Sequence, residues 1–264
     1  METKTTIDNR ITRLFDKKKE GILNIYFTAG FPNLEDTVTI IKSLENAGAD
    51  MVEIGMPFSD PLADGPTIQE SSLVALKNGM TLKKLFEQLK DIRKEVKIPL
   101  LLMGYVNPVM QFGFENFCKK ANEVGIDGVI LPDLPMQEYN EFYKNLFESN
   151  NLSNIFLVTP NTSDERMKLI DRSSKGFIYV VSSDSTTGNT KTVNDAEDYF
   201  KRIQSKKLSN PTLIGFNIKD NASYSFACNY ANGAIIGSAF IKAIKDAPDL
   251  VKCIENFVVS VKKG

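Results

Sequence analysis

The sequence predicts an α/β protein, a closed (β/α)8 TIM barrel with an additional N-terminal helix, on three observations. Eight short apolar runs alternate with helical segments, the pattern of parallel strands joined by crossover helices. The 264 residues suit one such barrel domain over residues 1–264, and no linker, repeat or low-complexity tract divides them. Polar residues able to do chemistry follow several different strands, and a barrel brings all those strand ends to one face. The structural rival is an open doubly wound sheet, but no G-x-G-x-x-G follows the first strand.

The elements follow from local pattern. Ile7, Ile11, Leu14 and Phe15 recur at helical spacing within residues 5–20, and Lys17, Lys18 and Lys19 complement the dipole at the helix end. Residues 23–30 (LNIYFTAG) read as a strand ending in glycine. Residues 34–48 read as a helix that buries Val38, Ile40, Ile41, Leu44 and Ala47. Met51, Val52, Ile54 and Met56 form a short apolar run of the kind found in buried parallel strands. Helices are expected over 67–79, with Gly79 as the stop, and over 82–95. The rhythm continues with strand 99–105, helix 112–125, strand 128–133, helix 138–148, strand 155–159 and helix 164–173. Strand 177–182, helix 195–206, strand 212–216, helix 222–230, strand 234–237 and a helix over 250–262 complete it.

Composition excludes several function classes. An apolar fraction of 42% and a charged fraction of 25% are those of a soluble globular chain with a full core. A formal net charge of −1 provides no broad field for nucleic acid or an anionic membrane, so an anionic ligand needs a local site. Cys118, Cys228 and Cys253 are odd in number and widely spaced, which suggests reduced thiols in a cytoplasmic protein. The first ten residues are polar, and no run approaches the ~18 apolar residues of a membrane span. Histidine is absent altogether, which removes Ser-His and Cys-His nucleophiles, imidazole bases and His-ligated zinc. Proton chemistry falls to carboxylates, and no metal site is expected.

Residues 51–66 concentrate those carboxylates. Glu53 is a misfit inside an apolar strand, and Asp60 and Asp64 follow in a loop stiffened by Pro57, Pro61, Gly65 and Pro66. Acids in such different settings can have their pKa values pushed apart, which acid and base work at neutral pH requires. The bland alternative is a strand glutamate satisfied by a lysine or a backbone amide. Other polar strand ends are Thr28, Tyr105 with Asn107, Asp133, Thr159, Tyr179, Phe216 with Asn217, and Gly237 with Ser238. GFN at 215–217 and GSA at 237–239 stand where barrels often hold phosphate on backbone N–H groups, although either glycine alone is more often a turn. Residues 182–192 (SSDSTTGNTKT) read either as a surface loop or as a lid over the site.

The run EIGMPFSDPLADGPTIQ at 53–69 resembles the signature of the tryptophan synthase α subunit family. The resemblance spans essentially the whole chain. It includes TAGFP at 28–32, MGYVNP at 103–108, GVILPDLP at 128–135, the Tyr179 strand with Thr187 and Gly188 in its loop, GF at 215–216 and GSA at 237–239. It implies a lyase that cleaves indole-3-glycerol phosphate to indole and glyceraldehyde 3-phosphate in tryptophan biosynthesis. It also implies an α2β2 heterotetramer, with indole passed to a β subunit that carries pyridoxal phosphate, and no cofactor in this chain. By match of motif, Glu53 is the acid/base at indole C3 and the glycerol hydroxyl, Asp64 holds the indole N–H and Tyr179 positions the reacting centre. Tyr26 and Phe216 flank the indole; Thr187 joins the substrate-binding set, and Gly188, Phe216, Asn217, Gly237 and Ser238 surround the phosphate. Two positions depart from the family pattern. Ser183 stands where some relatives have Arg, and Asn217 where Gly commonly follows Phe, so a lid cation is lost and a residue less tolerant of positive φ is introduced.

The chemistry agrees with those roles. Cleaving the C–C bond requires indole C3 protonated, positive charge held at the ring nitrogen and the adjacent hydroxyl deprotonated. One acid at C3 can perform the first and third operations in turn, while a fixed carboxylate stabilises the cation. Two other readings remain. A phosphosugar isomerase or aldolase barrel is one, although no strand end supplies a Schiff-base lysine. A barrel that only activates its partner is the other.

Overall fold

The computed structural model describes residues 7–181, 193–215 and 217–264, with the backbone alone at 193–196. Strands β1 (Ile22–Thr28), β2 (Met51–Gly55), β3 (Leu100–Met103), β4 (Gly128–Ile130), β5 (Ser153–Asn154), β6 (Phe156–Val158), β7 (Ile178–Val181), β8 (Thr212–Gly215) and β9 (Gly233–Ile236) form a single sheet. They pair in parallel in the order β5-β4-β3-β2-β1-β9-β8-β7-β6. The two edges, β5 and β6, are consecutive pieces of one stretch with only Ile155 between them. Ile155 still donates to Val129 O at 3.0 Å before the chain turns its bonding towards β7. The sheet therefore curls into a nearly closed barrel, and the expected strand 155–159 is the seam, starting two residues earlier than its apolar pattern showed.

Helices α1 (Arg10–Lys17), α2 (Asp36–Ala47), α3 (Pro66–Lys77), α4 (Leu82–Leu89), α5 (Val106–Phe112), α6 (Phe114–Glu123), α7 (Met136–Glu138), α8 (Lys144–Ser149), α9 (Asp164–Ser173), α10 (Val193–Ser205), α11 (Asn221–Cys228), α12 (Ser238–Ile244) and α13 (Leu250–Lys263) fill the connections. Four differ from the sequence pattern for local reasons. The first helix begins at Arg10 because Asn9 caps it, its Oδ1 accepting from Ile11 N at 3.0 Å while Thr12 Oγ1 accepts from Asn9 N at 3.1 Å. The helix expected over 82–95 stops at Leu89 and ends in a 3₁₀ turn, Ile92–Lys94. The helix expected over 112–125 is two helices, since Gly113 between them has φ 86, which no α-helix can continue. Between α7 and α8 a π-helical turn, Tyr139–Tyr143, inserts one residue's slack. Helix α12, too short to show a period of its own, opens directly after β9.

Apolar side chains cover both faces of the sheet. Ile22, Met51, Leu101, Ile130, Ile155, Phe177, Leu213 and Ile235 pack together with Ile11 and Phe15 of α1, so the leading helix plugs the end where the strands begin. A separate apolar layer packs the outer strand faces against the helices. Burial on both faces explains why the strands read as continuous apolar runs.

The plug is tied down by Asp127, whose carboxylate accepts from Arg10 N and Nη1, Arg93 Nη2 and Leu100 N at 2.6–3.2 Å. Asn9 Nδ2 reaches Asp127 O at 2.7 Å and Ser153 Oγ at 3.0 Å. The three cysteines are free thiols lying in α6, α11 and α13. Among the described residues no helix is long and apolar enough to cross a membrane, and no group of three or more acidic, Cys or His side chains could hold a metal ion.

Candidate active site

Glu53 is fully buried on β2, in register with Tyr26 of β1 on one side and Leu101 of β3 on the other. Because partners across a parallel sheet point to the same face, Glu53 and Tyr26 share the barrel interior with Leu101. Burial pushes the Glu53 carboxyl up to about 8, against a small opposing pull from the Asn24 amide, whose Nδ2 lies 2.6 Å from Glu53 Oε1. At neutral pH it is a carboxylic acid.

Asp64 sits at the mouth in the loop after β2. Tyr105 donates its hydroxyl hydrogen to Asp64 Oδ2 at 3.0 Å and accepts from Ala63 N at 3.1 Å, while Gln69 Nε2 holds the Asp64 carbonyl at 2.8 Å. Partial burial raises Asp64 to about 6, with the Tyr105 bond opposing the rise, so it is ionised at pH 7. The two acids thus hold opposite protonation states at one pH, the division of labour that a proton donor and an electrostatic stabiliser require. Asp60, the third acid of the stretch, is exposed and takes a hydrogen bond from Ser59.

Tyr26 and Tyr179 are buried, and both phenol pKa values are raised by burial with added repulsion from Glu53 and Asp64, which places the two hydroxyls within electrostatic reach of both acids. Glycine permits those rings. A Cβ on Gly55 would lie 2.3 Å from the Tyr26 hydroxyl oxygen, and one on Gly215 would lie 2.2 Å from that of Tyr179. Tyr26, Met56, Phe58, Asp64, Met103 and Tyr105 line the pocket at this mouth, with the Phe58 and Tyr105 rings 5.2 Å apart. A cavity of about 860 Å³ at the opposite end of the barrel, beneath α1, contains none of these residues.

The family model described as tryptophan synthase alpha chain matches residues 13–263. The chain belongs to the tryptophan synthase alpha chain family. It is 59% identical to the tryptophan synthase alpha chain of Christiangramia forsetii over 96% of this chain and 98% of that one. The alpha chain of Flavobacterium psychrophilum is 56% identical over 96% and 99%. A crystal structure of tryptophan synthase subunit alpha from Legionella pneumophila matches with TM-score 0.89 at 32% identity, covering 97% of this chain and 98% of that chain. Mycobacterium tuberculosis tryptophan synthase in its aminoacrylate-bound form matches with TM-score 0.84 at 26% identity over 97% and 98%. The enzyme class expected from the motifs, a lyase of tryptophan biosynthesis, comes with the family.

Within this chain the expected site residues fall into four groups. Glu53, Asp64, Tyr26 and Tyr179 lie within electrostatic reach of one another around the barrel interior and its mouth. Gly237 and Ser238 stand where β9 meets α12, and a Cβ added to Gly237 would lie 3.3 Å from the Tyr26 ring, so the phosphate candidates adjoin the same pocket wall. Asn217 has φ 59 and so adopts the left-handed conformation that its family counterpart glycine favours; asparagine is among the few residues that do so readily. Thr187, Gly188 and Phe216, like Ser183 and the rest of 182–192, lie outside the described residues.

Two participants escaped the sequence reading. Tyr105 appeared there only as one polar strand end, and its bond to Asp64 became visible with the fold. Asn24 was not singled out at all. The signal existed: within LNIYFT it lies two residues before Tyr26, and alternation puts both on the interior face.

Proposed function

We propose that the chain cleaves indole-3-glycerol phosphate to indole and glyceraldehyde 3-phosphate, with Glu53 moving the protons and Asp64 holding the charge. The observation that carries this reading is the pairing of a fully buried Glu53 on β2 with an Asp64 held at the pocket mouth by the Tyr105 hydroxyl, two carboxyls of one site in unlike settings. The protonated Glu53 gives its proton to indole C3, leaving positive charge at the ring nitrogen that the Asp64 carboxylate stabilises. Glu53, now a carboxylate, takes the proton of the neighbouring glycerol hydroxyl. The C–C bond breaks, its electron pair restores the aromatic indole, and the carbon that bore the hydroxyl becomes the aldehyde. Glu53 ends as it began. Tyr179 and Tyr26 shape the wall around the ring, and Phe216 is assigned there by match of motif alone. Gly188, Phe216, Asn217, Gly237 and Ser238 are assigned to the phosphate end, and Thr187 to the substrate-binding set. Any pyridoxal phosphate belongs to the β subunit, and this chain acts as a single barrel domain.

The test is to incubate the purified chain with indole-3-glycerol phosphate, with and without a β subunit, and measure indole. No indole under either condition sinks the proposal.

Gly237→Asp is expected to raise KM at least tenfold, because a carboxylate would meet the substrate phosphate at the N–H end of α12. Gly237→Ala separates out the steric contribution against Tyr26 and should raise KM much less. Equal KM for wild type and Gly237→Asp, with the protein folded, would place the phosphate elsewhere.

An α2β2 assembly with a β subunit is part of this reading, and the loop carrying Asp64 is suited to docking. Leu62 at its tip is 84% exposed, with Pro57 and Phe58 half-buried beside it. A partner that seats this loop would also keep water from Asp64 and so accelerate cleavage. Leu62→Glu is expected to weaken β-subunit binding at least tenfold, since burying a leucine contributes about 1.5–3 kcal/mol. The measurement is titration of the indole rate with β subunit, and an unchanged titration curve would move the interface away from this loop.

A further inference from the structure

Asn24 and Glu53 form an isolated buried pair. Both side chains are fully buried, and Asn24 Nδ2 lies 2.6 Å from Glu53 Oε1. Among the described residues, the remaining oxygens of the pair, Asn24 Oδ1 and Glu53 Oε2, are buried without a hydrogen-bond partner. Buried polar atoms are seldom left so, and two at one catalytic acid call for a function.

An acid that gives and then regains a proton must be held in both of its states. A carboxylate accepts hydrogen bonds only, whereas a carboxylic acid also donates one. A lysine or arginine partner would suit the carboxylate alone and would fix it in that form. A primary amide suits either state, because turning it about its last torsion exchanges a donor for an acceptor of nearly the same shape.

We propose that Asn24 is a positioning residue that holds Glu53 throughout its proton cycle, donating through Nδ2 to the carboxylate and accepting through Oδ1 from the carboxylic acid. Asn24 neither gains nor loses a proton; the proton passes only between Glu53 and the substrate. The free Glu53 oxygen remains available to the substrate. The other titratable groups acting on this pocket are Tyr26 of β1, Tyr179 of β7, Asp64 of the mouth loop and Tyr105 after β3, while β3 itself presents Leu101. None offers Glu53 a hydrogen bond in place of Asn24 among the described residues.

This inference rests on the proposed role of Glu53, so its test reads the carboxyl directly as well as the reaction. Infrared spectra of the full chain labelled with ¹³C-glutamate, with Glu53→Gln subtracted to isolate Glu53, follow its titration in wild type and in Asn24→Leu. Asn24→Ser serves as a smaller polar variant able to both donate and accept. The hydrogen bond to the charged carboxylate is the stronger of the two, so Asn24→Leu is expected to move the Glu53 midpoint upward by about one unit, equivalent to about 1.4 kcal/mol. It should lower kcat for indole formation at least tenfold with KM little changed, and displace the alkaline limb of the pH profile by the same amount. Asn24→Ser should recover part of both. An unmoved Glu53 midpoint in a folded Asn24→Leu protein, or an upward midpoint with an unaltered kcat in an active enzyme, overturns the proposal. A moved midpoint in a chain whose wild type forms no indole supports the pairing and refutes the function proposed for the site.

Discussion

Glu53→Gln is expected to abolish indole formation while making the protein more stable above neutral pH. The amide keeps the shape of the side chain but carries no exchangeable acid, so loss of general acid–base catalysis lowers kcat at least ~10²–10⁴-fold. Wild-type activity should trace a bell, rising through about pH 6 as Asp64 ionises and falling through about pH 8 as Glu53 loses its proton. Stability carries the opposite signature. A carboxyl whose folded pKa is raised from 4.5 to about 8 binds a proton on folding. Its presence therefore makes stability fall as pH climbs from about 4.5 to about 8, and the loss levels off beyond. At 1.36 kcal/mol per unit the loss attributable to Glu53 is about 5 kcal/mol. Glu53→Gln should match wild type near pH 5 and exceed it by several kcal/mol at pH 9, read from urea midpoints at the two pH values. A folded variant with near-normal turnover would reduce Glu53 to a structural residue, and identical pH dependence of stability would mean that the buried acid is already ionised.

Asp127→Ala is expected to be the most destabilising of the substitutions considered, and its effect falls on the opposite end of the barrel. The Asp127 side chain is 1% exposed and joins Arg10 of α1, Arg93 beyond α4 and the Leu100 amide of β3. Removing it leaves the Arg93 guanidinium, only 16% exposed, without its counter-charge and strips partners from two backbone N–H groups. Breaking a buried pair in this way costs about 3–5 kcal/mol. For a chain of this size that lowers Tm by roughly 10 °C. Kinetic constants measured well below Tm should stay near wild type, because the cluster lies at the N-terminal ends of the strands, away from the acids. A loss under 1 kcal/mol in chemical denaturation would show that solvent replaces the carboxylate freely.

The two ends of the barrel also differ in how far the chain alone disclosed them. Helical spacing at Ile7, Ile11, Leu14 and Phe15 announced a leading helix, but not that Ile11 and Phe15 would enter the barrel interior. A period of 3.6 identifies the apolar face of a helix and says nothing about what covers it. The break at Gly113 was hidden for a related reason, since apolar spacing carries on through a glycine whose φ is set by the fold. At the mouth, Glu53 and Asp64 were legible because a charge in an apolar strand, and a carboxylate in a proline-rich loop, are anomalies in one dimension.

The sequence by itself determined the order of strands and helices, the interior placement of Glu53 and, through one long motif, the family. Those properties are written in alternation and in short contiguous runs, which adjacent residues specify without help from the rest of the chain. Only the tertiary structure decided that Asn24 meets Glu53 from 29 residues away, that Tyr105 holds Asp64 across 41, and that the sheet closes at Ile155. Such contacts depend on strand register, and register is settled by the packing of the whole barrel interior at once, a cooperative quantity that no single segment contains.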